Sequence, residues 1–420
     1  MSFALLLSAI IGSTVGNTLV INDARELIEF ANSTNDPLGN VNCSGTTVML
    51  GADIDFTDEL SQLFEPIAKS RDTPFLGTFD GQGHAIRNLK VNSSLSYMGL
   101  LGYSGGSTIK NVVLDSSCSF TAQLELYNIT YLGGIIGRCS AIYGPCNIQN
   151  NVNMATVSVI GDNEYNSPHI GGIAGGLSST SNYRSTIKNC ANYGNVTRTG
   201  ESKNLYIGGI SGSSWGASTR RAQILNSFNF GSITISSETF SRFYIGGITG
   251  SDKYITMENC VSYGNITSTS IWGTIKSISG SSEYSSLTNN FWSESIGYSA
   301  YSWGYSMSEP EAFEFDENFV LSERASIGDY NGTSLIEALN AYCDKYTARE
   351  YSRWALNREG NAISFVVNSN EALSLDSKIV LLPTLANNGK MWLDGWYTDS
   401  ACTSKLSDNE LENVTKLYGK

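Results

Sequence analysis

The sequence predicts a mainly β chain built as a solenoid, a stack of short coils in which each coil is held by its neighbours. Three observations predict it. The phrase GGIIG at Gly133 returns as GGIAG at Gly171, GGISG at Gly208 and GGITG at Gly246, with successive starts 38, 37 and 38 residues apart. An Asn-rich phrase keeps step with it, as IKNCANYGNV from Ile187, ILNSFNFGSI from Ile224 and MENCVSYGNI from Met257. A fixed period of this size marks an array whose single unit cannot bury its apolar face alone. Third, the chain has 42 Gly, 22 Tyr and only 15% charged residues, and it alternates Val and Ile with uncharged polar residues. That usage suits short strands and tight turns, whereas long amphipathic helices want Ala, Leu, Glu and Lys.

At 420 residues the chain can hold two or three domains or one long solenoid. Its net charge of −13, with no basic cluster larger than Arg220-Arg221, argues against nucleic acid or an anionic membrane as partner. Residues 1–16 are read as a signal peptide. The apolar run Phe3 to Ile11 is too short to span a bilayer and precedes small residues, although no Lys or Arg stands before it. A buried first strand is the alternative. No later stretch reaches transmembrane length, so the expected location is secreted or cell-surface. Eight cysteines fit an oxidising compartment. Cys139 and Cys146 are close enough to close one loop, and Cys343 with Cys402 is a second candidate pair. Without a C-x-x-C and with two histidines, His84 and His169, no zinc site is expected, and no cofactor is implied. Eight N-x-S/T sequons, from Asn32 to Asn413, would be glycan acceptors in a secreted protein.

The solenoid is assigned to residues 17–305. Asp23 to Ala31 reads as a short helix, capped by Asn22 or Asp23, with Ala24, Leu27, Ile28 and Ala31 on one face. A helix just before a β-array is well placed to cover its open end. Thr46–Asp53 follows as a strand. Within the repeats the Gly pairs are expected at sharp corners, with positive φ and close approach between coils. Asn189, Asn226 and Asn259 share one register, where amides can ladder or hold a turn. Tyr193, Phe230 and Tyr263 share another and are expected to stack.

The run TVMLGADIDF, then FLGTFDGQGHAIRNLKV, MGLLG and the repeated GGI-x-G with N-x-x-N-x-G resembles the GLUG-repeat proteins over about residues 18–295. The resemblance implies a surface or secreted protein folded as a right-handed parallel β-helix. The unit at Gly273–Gly280 has lost the double Gly and Ser262 replaces an Asn, so the array decays toward its C-terminal end. Some GLUG-repeat relatives are immunoglobulin A peptidases, whose zinc protease part needs H-E-x-x-H. That motif does not occur here, so the activity is not carried over.

Residues 306–360 are read as an acidic connector, with Glu309–Glu317 rich in carboxylates. It carries a helix at 334–345, capped by Thr333 or Ser334, with Leu335, Ala338, Leu339 and Tyr342 on one side. Residues 361–420 read as a small β-rich module with strands at Ile363–Asn368, Ile379–Pro383, Trp392–Asp399 and Val414–Tyr418. WLDGWYTD and VTKLYGK resemble the internalin B-repeat family, which implies a β-grasp-like unit.

Parallel β-helices also carry polysaccharide lyases and hydrolases, whose sites bring two or three carboxylates to one face. Asp53, Asp55 and Asp80 are the best candidates, but Asp80-Gly81 is also a turn dipeptide and Asp is common at strand ends. His84 and His169 read as turn or surface residues. Tyr165, Tyr206, Trp215, Tyr244 and Trp272 offer aromatic faces among Asn and Ser, which suits sugar rings. Packing at corners would use the same rings, and the sequence supports both readings equally. The expected role is non-catalytic binding of extracellular glycans or of host or matrix proteins. A carbohydrate-active enzyme and a structural spacer are the alternatives.

Overall fold

The computed structural model describes residues 14–15, 17–39, 41–124, 129–237, 240–269, 273–301, 312–321, 334–356, 363–365, 373–374, 396–397 and 416–419. The chain divides into two compact units, residues 1–312 and 313–420.

In the first unit five short strands recur in each of six successive coils, from Thr78 to Glu283. One coil runs Thr108–Lys110, Val113–Leu114, Ser119–Gln123, Tyr131–Gly133, Ile136–Ser140; the next runs Cys146–Gln149, Val152–Asn153, Thr156–Ile160, His169–Gly171, Ala174–Ser178. Each strand pairs in parallel with its counterpart one coil on, so five long parallel sheets run along the stack. That is the arrangement of a β-solenoid, and it makes almost every pairing a contact between successive repeats.

Inward positions line up because a parallel ladder in fixed register puts equivalent residues one above another. In the sheet that starts each coil, Phe79, Ile109, Ile148, Ile187, Ile224, Met257 and Leu287 form one buried column. Val91, Phe120, Val157, Val196, Ile233 and Ile266 form another. The sheet after the Gly pairs departs from this. Its column Leu101, Ile136, Ala174 continues as Ser211, Thr249, Ser279, and its column Ser104, Cys139, Leu177 continues as Ser214, Asp252, Ser282. The core therefore turns polar toward the later coils, where the hydroxyls bond one another and Asp252.

The corner between the first two strands of each coil is made by asparagine. Asn111, Asn150, Asn189, Asn226, Asn259 and Asn289 all have φ between 45° and 56°, the left-handed region that Asn tolerates best after Gly. Their amides form a continuous ladder. Each Nδ2 donates to the Oδ1 one coil earlier, from Asn289 back to Asn111, and Asn111 Nδ2 donates to Asp80 Oδ1 at 2.9 Å. The expected aromatic row is also present: Phe230 stacks on Tyr263 at 4.4 Å and lies tilted against Tyr193 at 5.8 Å.

Before the repeats, α1 (Ala24–Asn35) is a turn longer than its sequence pattern. Asp23 Oδ1 accepts the Glu26 N–H and Glu26 returns to the Asn22 N–H, which secures its start. Thr34 and Asn35 accept the N–H groups of Ala68 and Lys69, and Leu27, Phe30 and Ala31 are buried. A second short helix, α2 (Asp58–Leu63), lies against the strand Lys90–Ser93, with Ser61 Oγ donating to the Asn88 carbonyl. The expected signal peptide lies outside the described residues except Thr14–Val15, which pair antiparallel with Thr18–Leu19.

In the second unit α3 (Leu335–Lys345) begins at Ser334, whose Oγ accepts the Glu337 N–H. The Asn340 amide bonds both backbone groups of Trp354, at 2.9 Å each. The strand Trp354–Leu356 pairs antiparallel with Ile363–Phe365, and Lys416–Gly419 pairs antiparallel with both Leu373–Ser374 and Trp396–Tyr397. The expected strand at Ile379–Pro383 lies outside the described residues.

Candidate binding face

Two residues before each Gly pair stands a ring. Tyr97, Tyr131, His169, Tyr206 and Tyr244 occupy one register column. Their neighbours are nearly parallel, 8° to 15° apart, with centroids at 5.8, 4.4, 4.6 and 5.7 Å. The ladder follows from register: strands lie about 4.8 Å apart, close to the spacing of stacked rings. Tyr206 and Tyr244 are half-buried, whereas Tyr131 and His169 are buried. Of the aromatic candidates, Tyr206 and Tyr244 thus stack on each other. Trp215 joins them through His169, perpendicular to it at 6.2 Å. Both faces of His169 are covered by Tyr131 and Tyr206, so Trp215 meets only its rim. Trp215 itself is 42% exposed. Tyr165 stands 56% exposed on the preceding loop, where its hydroxyl bonds Glu164. Trp272 lies outside the described residues.

His169 is not the turn or surface residue its sequence neighbours predicted. It sits in a strand, 4% exposed, because its register makes it one rung of the ladder. Burial first, and the Arg138 charge second, hold its imidazole down at about 3, so it is neutral at ordinary pH. Nδ1 has no hydrogen-bond partner among the described residues. The ladder members Tyr97, Tyr131 and His169, together with Arg138, escaped the sequence reading. A signal was present: Tyr131, His169, Tyr206 and Tyr244 each precede a Gly pair by the same two residues.

Arg138 lies with its guanidinium carbon 4.5 Å from the centre of the Tyr131 ring. Its charge also acts on Tyr103, which meets Tyr97 edge-on at 5.0 Å. In the next coil Arg138 is followed by Gly176, where a Cβ would stand 2.8 Å from the Tyr131 ring. The missing side chain makes room for Tyr131 to lean there.

The three aspartates are placed otherwise. Asp53 Oδ1 accepts the Ala85 N–H at 2.9 Å and faces His84 Nδ1 at 3.3 Å, and Oδ2 accepts from Arg87 at 2.7 Å. Burial pushes its carboxyl up, but the bonds from His84, Arg87 and Ala85 outweigh it and hold the group at about 2. Asp55 accepts from the Asn88 amide. Asp80, 4% exposed, accepts from Gln82 N–H and Asn111 and pairs with Lys110 at 2.9 Å. Each carboxylate therefore fastens a turn to a neighbouring coil. Among the described residues no cluster of three His, Cys, Asp or Glu side chains could hold a metal ion. No described helix is long and apolar enough to cross a membrane.

The seven cysteines among the described residues are buried thiols. Cys139 hydrogen-bonds Cys146, and burial pushes the Cys139 thiol well up. Cys402 lies outside the described residues.

No family model matches the chain. A solved structure of a candidate immunoglobulin A1 protease from Bacteroides ovatus is similar over 82% of this chain and 91% of that one, with a TM-score of 0.50 and 20% identity. At that identity the likeness concerns the fold. Halomucin of Haloquadratum walsbyi is 39% identical over 77 residues, which is 17% of this chain. The chain spans only 1% of that protein's length.

Proposed function

We propose that this chain is a non-catalytic, extracellular or cell-surface adhesin-like protein that binds glycans through the outward face of its solenoid. In this reading it is a GLUG-repeat protein, a right-handed β-helix capped at its N-terminal end by α1, with a signal peptide before it and a B-repeat-like module after it. The carrying observation is the aromatic ladder with Trp215 at its rim, 42% exposed. A rigid aromatic ring partly open to solvent, with Ser178 beside it in register, offers an apolar plate and a hydroxyl partner, which a sugar ring matches. The short similarity to halomucin supports a place outside the cell.

The enzyme alternative is less favoured. A glycosidase acid needs a raised carboxyl, whereas Asp53 is held low and Asp80 is locked in an ion pair. The full-length chain should be passed over an array of glycans and matrix proteins, with the bound sugars analysed by mass spectrometry. Saturable binding of intact glycan is the expected result. Cleaved sugar would overturn the non-catalytic reading, and absence of any binding would leave the spacer.

A further inference from the structure

Beside the ladder, at Tyr131, stands a charge without an ionic partner among the described residues. Arg138 makes no hydrogen bond and no ion pair among the described residues, although it is partly buried. Its close partner is the Tyr131 ring, a contact that uses none of its N–H donors. Among the described residues the cations that act on Tyr131, His169 and Tyr206 are Arg138 and Arg242, and no carboxylate acts on the three. This is unusual in a chain of net charge −13, with 39 acidic residues to spare. Lower on the same side of the stack, Lys253 is paired with Glu283 at 2.7 Å. The lack of a partner is therefore local to the ladder. A partly buried guanidinium whose N–H groups are unpaired among the described residues is a ready donor to an oxyanion, which it can hold by two parallel N–H···O bonds.

We propose that the glycan bound at this face is acidic, and that Arg138 grips the oxyanion of one sugar residue while the exposed face of Trp215 takes a neighbouring ring. The two lie two coils apart in adjoining columns, since Arg138 aligns with Gly176 and Gly176 with Ser213, two residues before Trp215. At about 4.8 Å per coil and about 3.4 Å per residue along the strand that separation is about 12 Å, a span that two or three linked sugars cover. The inference rests on the adhesin reading and narrows its ligand class. The shared chemistry is a carboxylate or sulfate ester on a polysaccharide.

The test measures binding of the full-length chain to a polyuronate, to a sulfated polysaccharide and to a neutral polysaccharide, using wild type, Arg138→Gln, Arg138→Lys and Trp215→Ala. Melting curves of each variant confirm that it is folded. The expected result is acidic-glycan binding that weakens at least tenfold in Arg138→Gln, is only partly restored in Arg138→Lys, and falls with added salt. Preference for the polyuronate would identify a carboxylate, and preference for the sulfated chain a sulfate ester. Binding of the neutral chain that needs Trp215 and ignores Arg138 would overturn this inference and leave the adhesin reading standing. Binding to none of the three would overturn both.

Discussion

A Cβ on Gly209 would stand 2.1 Å from Cγ of Asn229 and 2.3 Å from the carbonyl oxygen of Gly247. Gly172 meets Asn192 at the same 2.1 Å one coil earlier. The second glycine of the GGI phrase and the middle asparagine of the Asn-rich phrase are thus two sides of one interior contact. That asparagine is fixed in turn: Asn192 Nδ2 donates to Asn229 Oδ1 and to the Gly194 carbonyl. The two signatures keep step along the sequence because neither packs without the other. Gly209 does not carry the positive φ expected of it, which belongs to the asparagine corners instead.

Substitution at Gly209 should therefore fail through collision. Gly209→Val should destabilise the protein by at least about 2 kcal/mol, since neither backbone nor buried amide can retreat. Gly83 makes a useful contrast, with φ of +80° and nothing within 4 Å of a Cβ. Gly83→Ala should cost only the left-handed strain, about 1 kcal/mol. Thermal melts compare the two, and equal losses would contradict the packing account.

Asn226 tests the corner ladder. It has φ of 45°, donates to Asn189 Oδ1 at 2.8 Å and accepts from Asn259 Nδ2 at 2.6 Å. Asn226→Ala removes both bonds and puts a Cβ in the left-handed region, an expected loss of about 2–4 kcal/mol. Asn226→Gly loses the same bonds without the strain and should be about 1 kcal/mol milder. Denaturant midpoints separate them. Identical variants would mean that the corner conformation is not what selects asparagine.

Period and composition made the stacked β-architecture legible, and cap residues placed both long helices, because these depend on local pattern. The Asn register was legible for the same reason, as was the Tyr193, Phe230 and Tyr263 row. The left-handed corner was assigned to glycine since glycine is its commonest occupant, while six stacked asparagines fill it here. His169 was misread because Pro168 and the Gly pair beside it look like a turn; only its register shows it as a rung. Arg138 was illegible, since its position over Tyr131 depends on Gly176 in the following coil. The aspartates were visible as residues, but their partners, Arg87, Lys110 and Asn111, are about 30 residues away and come together only through coil stacking.

Two buried ionisable groups should make opposite contributions to acid stability. Burial raises the Asp252 carboxyl to about 6, against the pull of hydrogen bonds from Ser279, Ser285 and Ser282 and with Glu283 adding to the rise. Its folded pKa exceeds the unfolded one, so its contribution is fully present below about 4 and is lost as pH rises to about 6. His169 is shifted the other way. Its neutral form is favoured, so its contribution is present above about 6.5 and is lost as pH falls toward about 3. Between about pH 4 and 6 the folded chain holds the Asp252 proton while the unfolded chain holds the His169 proton. The two slopes, each about 1.4 kcal/mol per pH unit, cancel. Asp252→Asn should therefore lose stability on acidification through this window relative to wild type, and His169→Tyr should gain it. Unfolding free energies at pH 4, 5 and 6 check both signs, and parallel profiles in all three proteins would refute the pairing.

Removal of residues 171–207 should leave a shorter, folded protein. Gly171 and Gly208 are register partners, so the deletion joins Ile170 to Gly208 where Gly171 stood. Ile224 then follows Ile148 in the inward column in place of Ile187, and Ile233 follows Val157 in place of Val196. The asparagine ladder closes from Asn150 to Asn226, and His169 meets Tyr244 in place of Tyr206. These columns keep their chemistry because the chain repeats it, while in the sheet after the Gly pairs Ser211 and Ser214 come to follow Ile136 and Cys139 directly. Stability in a stack is close to a sum over neighbouring coils. The expected outcome is a cooperative transition with a denaturant slope reduced roughly in proportion to the surface removed. Loss of the folded state would show that distant coils depend on one another, which a stack held by nearest-neighbour pairing does not allow.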